Sequence, residues 1–204
     1  MTDSAQHWDA VYAASSPERV SWHEAEPGRS LRLLLAATAV GDRVVDVGAG
    51  ASRLVERLLD AGRVVTVLDL SRVALDVVRA RLEGRSGARL EVADVLSWQP
   101  AEAYAGWHDR AVFHFLVDPA DQTAYAASAA RAVRPGGCLV LGVFAQDGPQ
   151  TCSGLPTSRW TAAELAAVFQ PAFTLEQAER EEHRTPAGVV QPFTWVVLRR
   201  GTPA

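Results

Sequence analysis

The run "RVVDVGAGAS" at residues 43–52 sets the frame for the whole chain. Val44, Val45 and Val47 favour a buried strand, and Gly48 and Gly50 then allow a sharp turn. "ASRLVERLLDAG" (51–62) follows, with Leu54, Val55, Leu58 and Leu59 at helical spacing and Gly62 as a stop. The alternation repeats outward from there. "RVVTVLDL" (63–70) is an apolar strand ending in an acid, and "SRVALDVVRARLEG" (71–84) is a helix opened by Ser71 and closed by Gly84. "ARLEVADV" (88–95) is a third strand ending in Asp94, and "WHDRAV" belongs to a fourth. A small-residue helix (121–133), an "RPGG" turn (134–137) and the strand "CLVLGVFA" (138–145) come next. Thr161 and Glu164 form a capping box that opens a helix over 161–169. Two closing strands, 173–181 and 191–200, share a Pro/Gly loop at 185–188 with no helix between them. Strands alternating with helices imply parallel βαβ units covered on both faces, with an antiparallel addition at the edge. Residues 1–40 form a helical or irregular lead-in to a core at 41–200, and the 204 residues read as one domain.

Composition narrows the function classes. Hydrophobic residues make up 48% and charged residues 22%, enough for a core and against wholesale disorder. The net charge of -4, with basic residues scattered, argues against nucleic acid as the main partner. The start "MTDSAQHWDAVY" shows no cationic, apolar signal pattern, and no window reaches the roughly 18 apolar residues of a membrane span, so a cytoplasmic protein is expected. Two cysteines, Cys138 and Cys152, support neither a disulfide framework nor a zinc site.

In an open parallel sheet, ligands bind beyond the carboxyl ends of the strands, which makes the strand ends the places to inspect. Gly48 and Gly50 let the backbone approach a ligand, and the helix that follows presents free N–H groups. Arg53 breaks the dinucleotide pattern G-x-G-x-x-G, where a third small residue is wanted. Asp69 follows Gly50 by about 20 residues, the spacing of an acid that accepts from ribose hydroxyls. Asp94 and Val95 offer an acceptor for an amine beside an apolar wall, which suits adenine. Asp46 faces a cationic group or orients the loop. Each acid alone is commonly a solvated strand end; three at successive strand ends, with a glycine turn between the first two, point to a nucleoside.

Taken together, "VVDVGAGAS", "VTVLDLS", "VADV" and "RAVRPGGCLVLGVFA" resemble the motif series of class I S-adenosylmethionine-dependent methyltransferases over roughly residues 40–200. The resemblance implies a Rossmann-like, seven-stranded mixed sheet with helices on both faces and an antiparallel edge strand near the C-terminus. It implies S-adenosyl-L-methionine as cofactor, with Asp46, Gly48, Ala49 and Gly50 shaping the methionine pocket. Asp69 would hold the ribose, Leu70 would lie against adenine, and Asp94 and Val95 would meet its amine edge. Ser52, which replaces a third glycine, would cap the helix or bond the methionine carboxylate. "GAGAS" with "WHDRAV" is similar to a subgroup containing protein-lysine methyltransferases, where Asp109-Arg110 would take the places of an Asp-Lys pair. The leader "HWDAVYAASSPERVSWHEAE" is similar to the aromatic lead-in of that family, with Trp8, Tyr12 and Trp22 folding over the cofactor. Ala105 departs from the aromatic-Asp pair that opens strand 4 in many members.

"WHDRAVFHFLVDPAD" (107–121) carries the acceptor-side candidates. His108 and His114 lie about 20 Å apart if the strand continues, too far for joint metal coordination, and no further ligands cluster with them. No metal is expected. The resemblance places Asp109 and Arg110 beneath the transferable methyl: Asp109 as the leading candidate to deprotonate the acceptor, His108 and His114 as weaker ones. Arg110 could pair with Asp109 or bind a substrate carboxylate, and His114 equally suits a packed histidine. The stretch 147–160 is too rich in Pro and Gly for a regular element and suits a binding loop or lid, with Cys152 and Arg159 within reach of substrate. His183 and Thr185 could border the same pocket. The acceptor, a small molecule or a protein lysine, stays open. Two alternatives remain: an NAD-dependent oxidoreductase, or a non-catalytic S-adenosylmethionine-binding protein.

Overall fold

The Val- and Leu-rich runs at 44–47, 65–69 and 138–144 become strands buried on both sides, the run at 88–92 becomes a partly exposed edge strand, and each amphipathic run becomes a helix laid across them. The computed structural model describes residues 2–14, 16 and 19–202. Its order is α1 (Thr2–Ala14), α2 (Gly28–Ala37), β1 (Arg43–Val47), α3 (Leu54–Asp60), β2 (Val64–Asp69), α4 (Arg72–Arg81), β3 (Ala88–Val92) and β4 (Tyr104–Arg110). A 3-10 turn (Phe113–Phe115), α5 (Pro119–Ala132), β5 (Val133–Phe144) and a hairpin of β6 (Thr151–Cys152) and β7 (Leu155–Pro156) come next. α6 (Ala162–Val168), β8 (Phe173–Arg184) and β9 (Val190–Arg200) complete it. The seven-stranded sheet runs β3-β2-β1-β4-β5-β9-β8, with β9 antiparallel to both of its neighbours and the other pairs parallel.

Strand order reverses between β1 and β4, and the crevice beyond their carboxyl ends is where such sheets bind ligands. The two faces carry separate cores. Trp107, Phe113, Tyr125, Leu139, Leu141 and Phe169 pack beneath α5 and α6. Leu34, Leu54, Leu58, Leu75, Val140 and Trp195 pack beneath α2, α3 and α4. Register assigns the faces: Asp46 pairs with His108 and Val47 with Asp109, so His108 and Asp109 lie on opposite sides of the sheet.

Three expectations need correction. β3 ends at Val92, which puts Asp94 two residues past the strand, where its Oδ1 accepts the Leu96 N–H (2.9 Å) and builds a turn. The "RPGG" segment is no free turn: β5 already starts at Val133, paired with Tyr104, and a register shift between Tyr104 and Gly106 absorbs the irregular residues. The stretch 147–160 is not wholly irregular, since it contains the β6–β7 hairpin. Ser15, Pro17 and Glu18 of the aromatic leader lie outside the described residues. No described helix is long and apolar enough to cross a membrane, both cysteines are free, and no cluster of three metal-type ligands occurs among the described residues.

Ser71 shows how the leader is fastened to the sheet. Its hydroxyl accepts the Ala74 N–H (3.1 Å) as N-cap of α4 and donates to Asp9 Oδ1 (2.6 Å) of α1. Ser71→Ala should lower stability by about 1 kcal/mol, the usual cost of losing such a cap. Urea unfolding would show a lower midpoint at unchanged slope; an unchanged midpoint would contradict the assignment.

Candidate functional site

The β1–α3 turn is built by two left-handed glycines, Gly48 (φ 58°) and Gly50 (φ 54°). Neither tolerates a side chain: a Cβ at Gly48 would stand 2.0 Å from Val112 Cγ2, and one at Gly50 would stand 2.0 Å from the Tyr12 hydroxyl. The turn is therefore pressed between the β4 exit and the leader. Asp69, at the end of β2, fixes it from below. Its two oxygens accept the Gly50 N–H and the Ser71 N–H, each at 2.7 Å. Burial pushes the Asp69 carboxyl up to about 6, although both N–H groups pull the other way.

A cavity of about 400 Å³ opens over this turn. Gly48, Leu68, Asp69, Leu70 and Ala93–Leu96 line one end. Trp8, Tyr12 and Trp22 from the leader, Arg110–Val112, Phe115 and Leu116 after β4, and Cys152, Leu155 and Pro156 from the hairpin enclose the other. The aromatic rings brace one another edge to face, with centroids 5.9 Å apart for Trp8–Trp22, 5.1 Å for Trp8–Phe115 and 6.1 Å for Tyr12–Trp22. A second recess of about 60 Å³ adjoins it, lined by Asp46, Gly48, Ala49, Ser52, His108, Arg110, Trp22 and Glu24 among others. There His108 Nδ1 donates to Asp46 Oδ1 (2.7 Å), while Asp46 Oδ2 and His108 Nε2 are buried without a partner among the described residues. Ala111 holds a left-handed φ of 70°, a conformation that costs a non-glycine residue free energy and that clusters at ligand sites.

Most of the expected cofactor residues thus line one of two adjoining spaces: Trp22, Asp46, Gly48, Ala49, Ser52, Asp69, Leu70, Asp94, Val95 and Arg110. Gly50 belongs to the same turn and lines neither space. The leading acid does not join them. Asp109 is fully buried on the opposite face, where its carboxylate accepts from the Tyr125 hydroxyl (2.5 Å) and from the N–H groups of Val112 (2.9 Å) and Phe113 (3.0 Å). Burial raises it to about 6. It shapes the turn that carries Ala111 and Val112 and lines neither space; nor does Arg110 pair with it. His114 lies among Phe115, Phe144 and Phe193, lines neither space, and has both ring nitrogens unpartnered among the described residues. Burial, helped by the Arg110 charge, lowers it to about 3. Arg159 is exposed and bonds the Gln146 carbonyl, and His183 is tied to the Ser21 carbonyl (2.8 Å); neither it nor Thr185 lines the cavity. Sequence reasoning missed Glu24, Phe115 and Leu116. The last two stood in plain view in the 107–121 stretch, but only the path of the chain after β4 aims them inward.

Comparisons with known proteins bear on the family and the fold. Residues 44–137 match a family model described as a methyltransferase domain. A ubiquinone biosynthesis O-methyltransferase from Thiobacillus denitrificans is 34% identical over 116 residues, 56% of this chain and 50% of that protein. The chain thus spans about half the length of that relative. A structure from work on converting a disulfide bond into a thioacetal group during echinomycin biosynthesis superposes with TM-score 0.78 at 24% identity, over 98% of this chain and 94% of the other. The Burkholderia thailandensis 1,6-didemethyltoxoflavin-N1-methyltransferase, with S-adenosylhomocysteine bound, superposes with TM-score 0.73 at 21% identity, over 98% and 85%. At these identities the structural likeness is one of fold.

A structural role for His114 has a pH signature. An unfolded histidine takes up a proton below its ordinary 6.5, whereas the folded one stays neutral until about 3, so wild-type stability falls as pH falls through that window. His114→Leu removes the group, and the variant's stability relative to wild type should rise steadily from pH 7 to pH 4 in urea unfolding. A pH-independent difference would contradict the burial of a neutral ring.

Proposed function

We propose that the chain is a class I S-adenosylmethionine-dependent methyltransferase, and that it transfers a methyl group from S-adenosylmethionine to a small-molecule acceptor held beneath its leader. The observation that carries this reading is the Gly48–Gly50 turn, closed by Val112 and Tyr12 and anchored on Asp69, at the floor of a cavity of about 400 Å³. The donor fits the residues present. Leu70 and Val95 offer apolar walls for adenine, and Asp94 has an oxygen beyond the one engaged by Leu96. Asp69 spends one lone pair of each oxygen on backbone N–H groups and keeps further acceptor capacity for ribose hydroxyls.

The donor supplies a methyl group already activated on a sulfonium. What remains for the protein is to bind, align and exclude water. The left-handed glycines bring the backbone close without side chains in the way. Trp8, Tyr12 and Trp22 roof the cavity and keep water from the reacting atoms. Phe115, Leu116, Leu155 and Pro156 form an apolar seat for the acceptor. A small molecule suits this seat better than a lysine on a protein surface, because leader and hairpin both stand over it. The ubiquinone-biosynthesis enzyme named above also supports that class.

Calorimetric titration tests the reading. S-adenosylhomocysteine should bind one to one, and NAD should give no heat. Asp69→Asn should weaken binding about tenfold or more, a loss of about 1.4 kcal/mol. Ribose hydroxyls donate to the ionised carboxylate, so wild-type affinity should climb as pH rises through about 6, with the variant flat. Binding of NAD in place of S-adenosylhomocysteine, or a wild-type affinity independent of pH, would contradict the reading.

A further inference from the structure

Arg110 closes β4 with its guanidinium inside the molecule, the side chain being 9% exposed. It is held on two sides: its Cζ stacks 5.0 Å from the Phe193 ring centroid, and Nη1 donates to the Trp22 carbonyl at 2.8 Å. That leaves the edge formed by Nε and Nη2, and both atoms are buried without a hydrogen-bond acceptor among the described residues. Glu24 of the leader comes nearest, with Oε1 3.4 Å from Nη2, close enough to balance charge and too long for a good hydrogen bond. Glu181, the other acid in reach, is already engaged by the Trp195 indole N–H (2.7 Å) and by Arg29 (3.4 Å). Burial also works against Glu24, pushing its carboxyl up despite the neighbouring guanidinium.

A buried guanidinium edge with two parallel, unused donors matches one kind of group best, a planar acceptor with two oxygens. The edge is pre-set by stacking and by the Trp22 carbonyl, so little ordering remains when a ligand arrives. Its location fits that use, because Arg110 lines both the 60 Å³ recess and the larger cavity. The recess has room for a carboxylate-sized group, and Glu24 lines it too.

We propose that the Nε–Nη2 edge of Arg110 is a preformed receptor for a ligand carboxylate, and that Glu24 of the leader stands in for that carboxylate until the ligand arrives. The inference rests on reading the adjoining cavity as the S-adenosylmethionine site. Two sources can supply the group: the amino-acid end of the methyl donor, or an acceptor that carries a carboxylate. In either case Glu24 competes with the ligand, so removing its charge strengthens binding. That sign separates a stand-in from a residue that contacts the ligand favourably.

The test compares wild type, Arg110→Met, Arg110→Lys and Glu24→Gln by calorimetry. The ligands are S-adenosylhomocysteine, 5′-methylthioadenosine (which lacks the amino-acid end) and benzoate added to protein saturated with S-adenosylhomocysteine. Thermal melts confirm folding, and the lysine variant, which keeps the charge and loses the fork, carries the test if the methionine variant is unstable. If the donor supplies the carboxylate, both Arg110 variants lose about tenfold or more in S-adenosylhomocysteine affinity, keep that for methylthioadenosine, and Glu24→Gln gains several-fold. If the acceptor supplies it, S-adenosylhomocysteine is unaffected, and benzoate binds wild type, binds Glu24→Gln more tightly and fails with Arg110→Met. Three results overturn the proposal: equal loss of both nucleosides, no change in either together with no benzoate binding, or weaker carboxylate binding in Glu24→Gln. A wild type that binds neither nucleoside would instead overturn the methyl-donor reading.

Discussion

The hydrogen bond from the Gly50 N–H to Asp69 (2.7 Å) ties the end of β2 to the turn that leaves β1, and the cavity is built around it. The turn can take this path only because Gly48 and Gly50 are left-handed and have no Cβ. It can hold the path only because Asp69 supplies a buried acceptor. From there the contacts radiate: Val112 closes on Gly48, Tyr12 closes on Gly50, and the second oxygen of Asp69 reaches the start of α4 at Ser71. Ser71 in turn fastens Asp9 and with it the leader helix. Floor, far wall and roof of the cavity are thus positioned by one buried carboxylate and two missing side chains.

A single residue of register then separates structure from site. Because neighbours on a strand point to opposite faces, His108 joins Asp46 beside the recess while Asp109 turns into the other core. On that far side Asp109 is surrounded by donors, and the Trp107 indole N–H reaches the same Tyr125 hydroxyl (3.0 Å) that donates to Asp109. This satisfied network fixes the strained Ala111 and the 3-10 turn after it, which present Val112, Phe115 and Leu116 to the cavity. On the near side the polar atoms are left incomplete: Asp46 Oδ2, His108 Nε2 and the outer edge of Arg110. Complete networks stiffen a fold, and incomplete ones at a strand end invite a ligand.

Much of this was legible in the sequence, for reasons that are local. Alternating Val-rich runs and amphipathic helices gave the mixed sheet, and the glycine turn with its acid about 20 residues on located the cavity. Ser71 and the Thr161–Glu164 capping box could be recognised because caps depend on neighbours three residues away. What could not be recognised depends on partners far along the chain. The face that Asp109 takes, the seating of His114 among phenylalanines and the approach of Glu24 to Arg110 are set by tertiary packing. The apolar pattern that runs on past Val92 predicts a strand end at Asp94, whereas the backbone turns there to let Asp94 accept from Leu96.

The central claim is that the carboxyl ends of β1, β2 and β4 hold the nucleoside of a methyl donor, and a crystal structure grown with S-adenosylhomocysteine tests it most directly. The account predicts adenine between Leu70 and Val95, ribose hydroxyls on Asp69, and the amino-acid end toward Gly48 and Asp46. Ligand density at any other part of the surface, with the Gly48–Gly50 turn left empty, would contradict it.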